Sequence, residues 1–190
     1  YVMTDSYQKA EDLFKTVREK FTSDSLVNSL SSSLASAYSS SKDYKKALTF
    51  YEKMLRADTT DTFIRYSIAT MYDQMGDYKK AEKTYSDVIN RDSSYTNAYV
   101  GLGKIYYEKY KNFSKAKNIL ERAYEREVNL YGNVPYNLDL LYYLGMIAVR
   151  EGRKFDAILS YMDMKNVYAP TPEENKKKSE LYKAIKKMDE

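Results

Sequence analysis

The pentapeptide DYKKA stands at Asp43–Ala47 and again at Asp77–Ala81, 34 residues further on. A fixed period of that size constrains a chain more than its composition does, because it means a supersecondary unit stacked along the sequence in place of one irregular core. Aligned on the pentapeptide, Tyr38, Tyr44, Ala47 and Tyr51 return as Tyr72, Tyr78, Ala81 and Tyr85. A third copy follows with one residue inserted: Gly103, Tyr106, Phe113, Ala116, Leu120 and Ala123. A fourth is Leu144-Gly145, Gly152, Ala157, Tyr161 and Pro170, with Lys154 where a Tyr is expected. Near the N-terminus Tyr7, Ala10, Phe14 and Val17 have the spacing of Tyr78, Ala81, Tyr85 and Val88, so the chain is expected to open with the second half of a repeat.

Inside each copy the apolar spacing is helical. Ile64, Ile68 and Tyr72 step by four along one face, Gly76-Asp77 interrupts, and Tyr78, Ala81, Tyr85, Val88 and Ile89 form a second stripe. Gly76 suits the left-handed residue that ends a helix, and Asp43 or Asp77 can accept hydrogen bonds from the free amides of the helix that follows. Each unit is therefore expected to be helix–turn–helix. Small residues fall at matching places in the two helices: Ala35 with Ala47, Ala69 with Ala81, Gly103 with Ala116, Gly145 with Ala157. Antiparallel helices approach closely only where side chains are short, so these pairs mark the crossing points. The serine-rich stretch Ser29–Ser41 reads as a helix and not a linker, because Leu26, Leu30, Leu34 and Tyr38 keep the four-residue step through it. Thr171-Pro172-Glu173-Glu174 has the layout of a capped helix start, and the stripe Leu181, Ile185, Met188 would let that helix cover the last open repeat face.

The slot pattern resembles the tetratricopeptide repeat family over nearly the whole chain. That resemblance implies an all-α fold: a right-handed α-solenoid of antiparallel helix pairs, with about four full repeats, an N-terminal half-repeat and a C-terminal capping helix. The expected arrangement is a single domain over 1–190, with the half-repeat at 1–23, repeats at about 28–61, 62–95, 96–130 and 138–171, and the capping helix at 172–188, the whole excised from a longer protein. The family's first-helix Trp is replaced by Ser31, Arg65, Tyr99 and Leu141. The extra sequence VNLYGNVPYN at Val128–Asn137, with Gly132 and Pro135 after a longer second helix, is similar to the extended repeats of kinesin light chains.

Composition closes several routes to chemistry. With no Cys and no His, the chain cannot form a disulfide, a thiolate or imidazole metal site, a cysteine nucleophile or a histidine base. Gly101–Lys104, GLGK, lacks the longer Gly-x4-Gly-Lys-Ser/Thr pattern of a phosphate loop and falls inside a helix. Glu173 and Glu174 read as first-turn charges favoured by the helix dipole, and the lysines at 176–178, 183, 186 and 187 as a solvated helix face. The balance of 31 basic and 27 acidic residues, interleaved along the chain, gives no electrostatic case for nucleic acid. No apolar run is long enough to span a bilayer. High lysine and tyrosine usage fits an AT-rich bacterial genome; the compartment is not readable from the sequence.

These readings lead to a non-catalytic interaction scaffold with no cofactor and no metal, binding a peptide segment or protein surface. In tetratricopeptide repeat proteins the first-helix residues not needed for packing line the concave groove. Here those positions are Ser32, Ser36 and Ser39 at a shallow neutral end. Next come Tyr66, Thr70, Asp73 and Gln74, followed by Val100, Lys104, Tyr107 and Glu108. The last set is Asp139, Tyr142, Met146, Val149 and Arg150. Tyr and Arg are common anchors of protein recognition. The basic clamp of the chaperone-tail-binding members is absent, since its slots hold Ser32, Ser36, Ser67, Asn97 and Gly101. The alternative role is structural, with the solenoid packing against a second copy as a homodimer or against other parts of a larger protein. The register makes a direct prediction: Ala81→Leu forces a helix crossing apart at about 1–3 kcal/mol, whereas Lys80→Leu faces solvent and leaves stability nearly unchanged. Urea unfolding of the two variants measures the difference, and equal stability would show the register to be wrong.

Overall fold

In this computed structural model the described residues are 8–9, 11–12, 14–16, 24–132, 135–168 and 171–190. Tyr7, Ala10 and Val17 of the expected half-repeat, and Pro170 of the fourth copy, lie outside them; Phe14 lies inside. Among the described residues the long helices are α1 (Asp24–Ser40), α2 (Tyr44–Ala57), α3 (Thr62–Gln74), α4 (Tyr78–Arg91), α5 (Thr96–Glu108), α6 (Phe113–Tyr131), α7 (Leu138–Arg150), α8 (Lys154–Asn166) and α9 (Pro172–Lys186). A 3-10 turn, Lys187–Asp189, follows α9, and no strand occurs among the described residues.

The helix boundaries come from side-chain caps. Asp43, Asp61, Asn112 and Asn137 each accept a hydrogen bond from the backbone N–H three residues on, at 2.9–3.2 Å. Thr171 and Glu174 complete a reciprocal capping box ahead of α9, with Pro172 in its first turn. The turn inside each helix pair is closed by a residue of positive φ: Lys42 at 65°, Gly76 at 80°, Lys111 at 52° and Gly152 at 72°. Gly76 takes the left-handed backbone expected of it; in two of the four turns a lysine adopts the same conformation, which disfavours an L side chain by about 1–2 kcal/mol.

The chain divides into two compact units, 1–88 and 89–190. In the first, α1 packs on α2 and α2 on α3. Its core gathers Leu34, Ala35, Tyr38, Ala47, Phe50, Tyr51, Ile64, Ile68 and Met71, with Phe14 seated against it. The Phe14 and Phe50 rings meet edge to face at 5.6 Å, while Tyr38 stacks on Phe50 at 5.9 Å. The stripe read through the serines faces this core, since Leu34 and Tyr38 are buried and Leu30 is half-buried. Ala81 has no exposed surface, whereas Lys80 stands in solvent and pairs with Asp77 at 2.8 Å.

In the second unit α5 pairs with α6, α7 with α8, and α9 lies against both α7 and α8. The small residues mark close approaches: a Cβ at Gly103 would stand 2.6 Å from Leu120, and one at Gly145 would stand 2.6 Å from Leu181 and 3.1 Å from Ser160. Gly145 therefore admits both its own repeat partner α8 and the terminal helix α9. The segment between α6 and α7 is anchored by Glu127, a buried carboxylate that accepts from the Asn137 backbone N–H at 3.3 Å. Leu181 is fully buried in a core with Leu138, Leu141, Ala148, Ala157, Met164 and Ile185. Leu181→Ala is expected to destabilise this unit by about 2–5 kcal/mol, the range for a large-to-small change in a core. Urea denaturation checks it.

Candidate functional site

The first-helix residues singled out from the sequence fall into two groups, one in each unit. In the first unit, the half-buried Tyr66 ring lies 5.9 Å from that of Tyr85. Thr70 Oγ1 donates to the Tyr66 carbonyl at 3.1 Å and lies 3.4 Å from the Tyr85 hydroxyl. Asp73 is buried, and Gln74 is exposed and accepts from Tyr44 at 3.3 Å. Burial of Tyr85 pushes its phenol well above the ordinary range, so it stays a neutral hydroxyl. Of this set Gln74 is the most open, and Tyr66 and Thr70 serve mainly to seat Tyr85. Ser32 and Ser36 border an open serine-lined surface on α1.

In the second unit, α5 contributes Lys104, Tyr107 and Glu108, and α7 contributes Asp139, Tyr142, Met146 and Arg150. Here the structure joins Tyr107, Glu108, Tyr142 and Arg150 into one connected array through Phe113 and Tyr143. The Tyr107 ring meets Phe113 and Tyr143 at 5.3 Å each, and Tyr143 meets Tyr142 at 5.1 Å, all tilted or edge to face. The Arg150 guanidinium sits 3.8 Å over the Phe113 ring, a cation–π contact that fixes a charged group on an exposed helix end. The Tyr143 hydroxyl donates to Glu108, and the Tyr142 hydroxyl donates to Glu180 of α9 at 3.0 Å. Asp139 accepts from Lys177 of α9 at 2.6 Å. Met146 and Val149 pack against the core of the α7–α9 layer.

The electrostatics follow from this wiring. Burial, then hydrogen bonding to Glu108, holds the Tyr143 phenol far above its ordinary range; Tyr142 is raised in the same way by burial and Glu180. Burial also raises Tyr107, opposed by the nearby charge of Arg150. Lys177 is drawn down by burial but held above its usual value by Asp139. None of these phenols is poised to ionise near neutrality, so the array is suited to hydrogen bonding and ring contact and not to proton transfer. Among the described residues, no group of three carboxylates could hold a metal ion.

Asp139 and Tyr142 are thus engaged by α9, while Tyr107, Glu108 and Arg150 keep partial exposure. Sequence reasoning missed Tyr143, Phe113, Lys177 and Glu180. Lys177 and Glu180 have the three-residue spacing of Asp139 and Tyr142, a match that becomes informative once α9 is known to lie on α7.

Residues 29–64 match one tetratricopeptide repeat model and residues 64–95 a second. Among solved structures, a thermophilic tetratricopeptide repeat protein of Thermus thermophilus is 19% identical, with a TM-score of 0.67 over 85% of this chain and 84% of that one. A tetratricopeptide repeat protein from Parabacteroides merdae is 16% identical, with a TM-score of 0.70 over 98% and 70%. BtubC (BKLC) from P. vanneervenii is 16% identical, with a TM-score of 0.72 over 100% and 86%. No curated protein matches the sequence. The fold is an all-α helical-repeat solenoid. Residues 29–95 thus carry tetratricopeptide repeats, which are in general non-catalytic scaffolds for protein–protein interaction.

Tyr143→Phe removes the hydroxyl shared with Glu108 without changing the ring packing. The expected loss is about 1.5 kcal/mol, the scale of a hydrogen bond to a charged acceptor. Thermal unfolding of the variant measures it, and an unchanged stability would show that Glu108 does not hold the array.

Proposed function

We propose that this chain is a non-catalytic binding module that holds a peptide segment or a protein surface on the first-helix face of its second unit. The observation that carries this reading is the partly exposed Tyr107 ring, backed by the buried Tyr143 and by Tyr142 in one aromatic row and flanked by Lys104, Glu108 and Arg150 on α5 and α7. A rigid aromatic supplies contact area with little loss of side-chain entropy, and the Tyr107 ring is already held by its packing on Phe113 and Tyr143. Charges of both signs border the row, so the ligand is read as a mixed polar and apolar peptide and not a polyanion. Its affinity would weaken only modestly with salt. Among the described residues no helix is long and apolar enough to cross a membrane.

A phage-displayed peptide library selected on the immobilised chain tests the proposal. Selected peptides are expected to lose about ten-fold or more in affinity, roughly 1.4 kcal/mol, with Lys104→Ala combined with Arg150→Ala. They are expected to bind the Lys79→Ala, Lys83→Ala double variant normally. The opposite pattern would move the site to the second helices. A chain that sediments as a dimer with Tyr107 and Arg150 protected would favour the structural role instead.

A further inference from the structure

We propose that the second unit carries a separate docking surface, the groove between α6 and α8, and that it takes an amphipathic helix bearing a Lys or Arg beside its apolar stripe. The groove encloses about 540 Å³. Its floor is Leu144 and Ala148 of α7, with Tyr124 and Leu159 on the walls. The apolar floor has a sequence cause: the slot that holds Tyr38, Tyr72 and Tyr106 in the first three copies holds Ala148 in the fourth.

The groove between α2 and α4 in the first unit shows what the tyrosine does. There Tyr72 is in place, its hydroxyl donates to Glu52 at 3.4 Å, and Lys80 lies over its ring at 5.3 Å. Arg65 and Asp87 pair at 2.9 Å in the same groove. There the tyrosine and the charged side chains engage one another across the groove. In the α6–α8 groove Ala148 stands in that slot and supplies neither a ring nor a hydroxyl to the charges on its borders.

Helix α8 extends the opening. Its inward residues Ala157, Ile158, Tyr161 and Met164 meet the core, yet Phe155, Leu159 and Met162, at i, i+4 and i+7, are 71%, 44% and 56% exposed. A helix apolar on both faces calls for cover on both, and a stripe at this spacing matches one side of a second helix. An exposed patch of this kind marks an interaction surface.

The charge of the groove selects its occupant. Its borders carry the carboxylates of Glu121, Asp156 and Asp163 against the single guanidinium of Arg153. Asp156 is paired with Arg153, and Glu121 lies 4.0 Å from Lys117. Asp163, two turns along α8 from Asp156, is half-buried and makes no hydrogen bond or ion pair with the described residues. Burial pushes its carboxyl above the ordinary range. A desolvated carboxylate beside an apolar stripe is complementary to a cation on the edge of an amphipathic helix. A second copy meeting this surface symmetrically would set carboxylate against carboxylate, so the occupant is a basic partner and not the chain itself.

Two synthetic helical peptides of about five turns, sharing one leucine stripe and differing only in a flanking Lys or Glu, probe the groove. Each is titrated into isotope-labelled full-length chain, with affinity read by fluorescence anisotropy and location by amide shifts. The Lys peptide is expected to bind more tightly and to shift amides near 121–124 and 155–163. Asp163→Lys should weaken it about ten-fold and favour the Glu peptide instead, and Leu159→Glu should abolish both. Neither residue lies in the core, and thermal unfolding confirms that both variants fold. The proposal is overturned if the peptides bind equally, if neither binds at about 1 mM, if the shifts fall instead on Lys104, Tyr107 and Arg150, or if the chain sediments as a dimer that Leu159→Glu dissolves.

Discussion

Close helix crossing at short side chains is the constraint on which the rest of this structure depends. Ala35 and Ala47, and Ala69 and Ala81, have no exposed surface at all, and Gly103 meets Leu120 where a β-carbon would not fit. With the axes this near, the neighbouring large residues reach past the pair to the next helix, which is how Tyr38 comes to stack on Phe50. One methylene too many would separate the helices and withdraw those aromatics from their contacts together, since packed interiors tolerate little extra volume. The same geometry at Gly145 seats Leu181 of α9 and makes the terminal helix part of the last repeat's core.

Much of this was legible in the sequence because the constraint repeats. The alanines and glycines at fixed period located the crossings, and the four-residue leucine step located α1 through its serines. The turns were less legible. Gly76 and Gly152 announce a left-handed residue, but Lys42 and Lys111 do the same work with nothing in their chemistry to signal it. Their conformation is imposed by the helices on either side and by the backbone bonds that close the turn, Asp43 N–H to the Tyr38 carbonyl at 2.9 Å and Asn112 N–H to the Tyr106 carbonyl at 2.9 Å. Tertiary context overrides local preference there.

The candidate site was legible as a set of positions and illegible as a network. Counting along α5 and α7 identifies Tyr107, Glu108, Asp139, Tyr142 and Arg150 as sharing a helix face. It does not show that Tyr143, one residue off that face, is the ring linking Tyr107 to Tyr142, nor that α9 takes Asp139 and Tyr142 for its own contacts. Those facts depend on where a helix distant in sequence docks, and that is fixed by Leu181 against Gly145. The α9 contacts have a consequence for binding. Residues already held by Lys177 and Glu180 are ordered before a ligand arrives, so less entropy is lost on binding, but they offer fewer open hydrogen-bonding groups. If this face binds as proposed, specificity would rest on Tyr107, Glu108 and Arg150.

The slot that usually carries the family's Trp shows how little residue identity matters once the crossing is set. Ser31 fills it by donating to the Val27 carbonyl at 2.7 Å, and Leu141 fills it as plain core. Arg65 lies along the helix with its guanidinium on Asp87 and the Thr59 carbonyl. Tyr99 is fully buried, with the guanidinium groups of Arg122 and Arg126 at 5.2 Å and 5.0 Å from its ring. Four chemistries occupy one position, each with partners drawn from its own surroundings. The crossing fixes the backbone and the neighbours adapt to each side chain, so the repeat can keep its shape while its surface changes from one copy to the next. Ala148 in place of a tyrosine is a change of that kind: the fold persists, and the groove it borders lacks the ring and hydroxyl that engage Lys80 and Glu52 in the first unit.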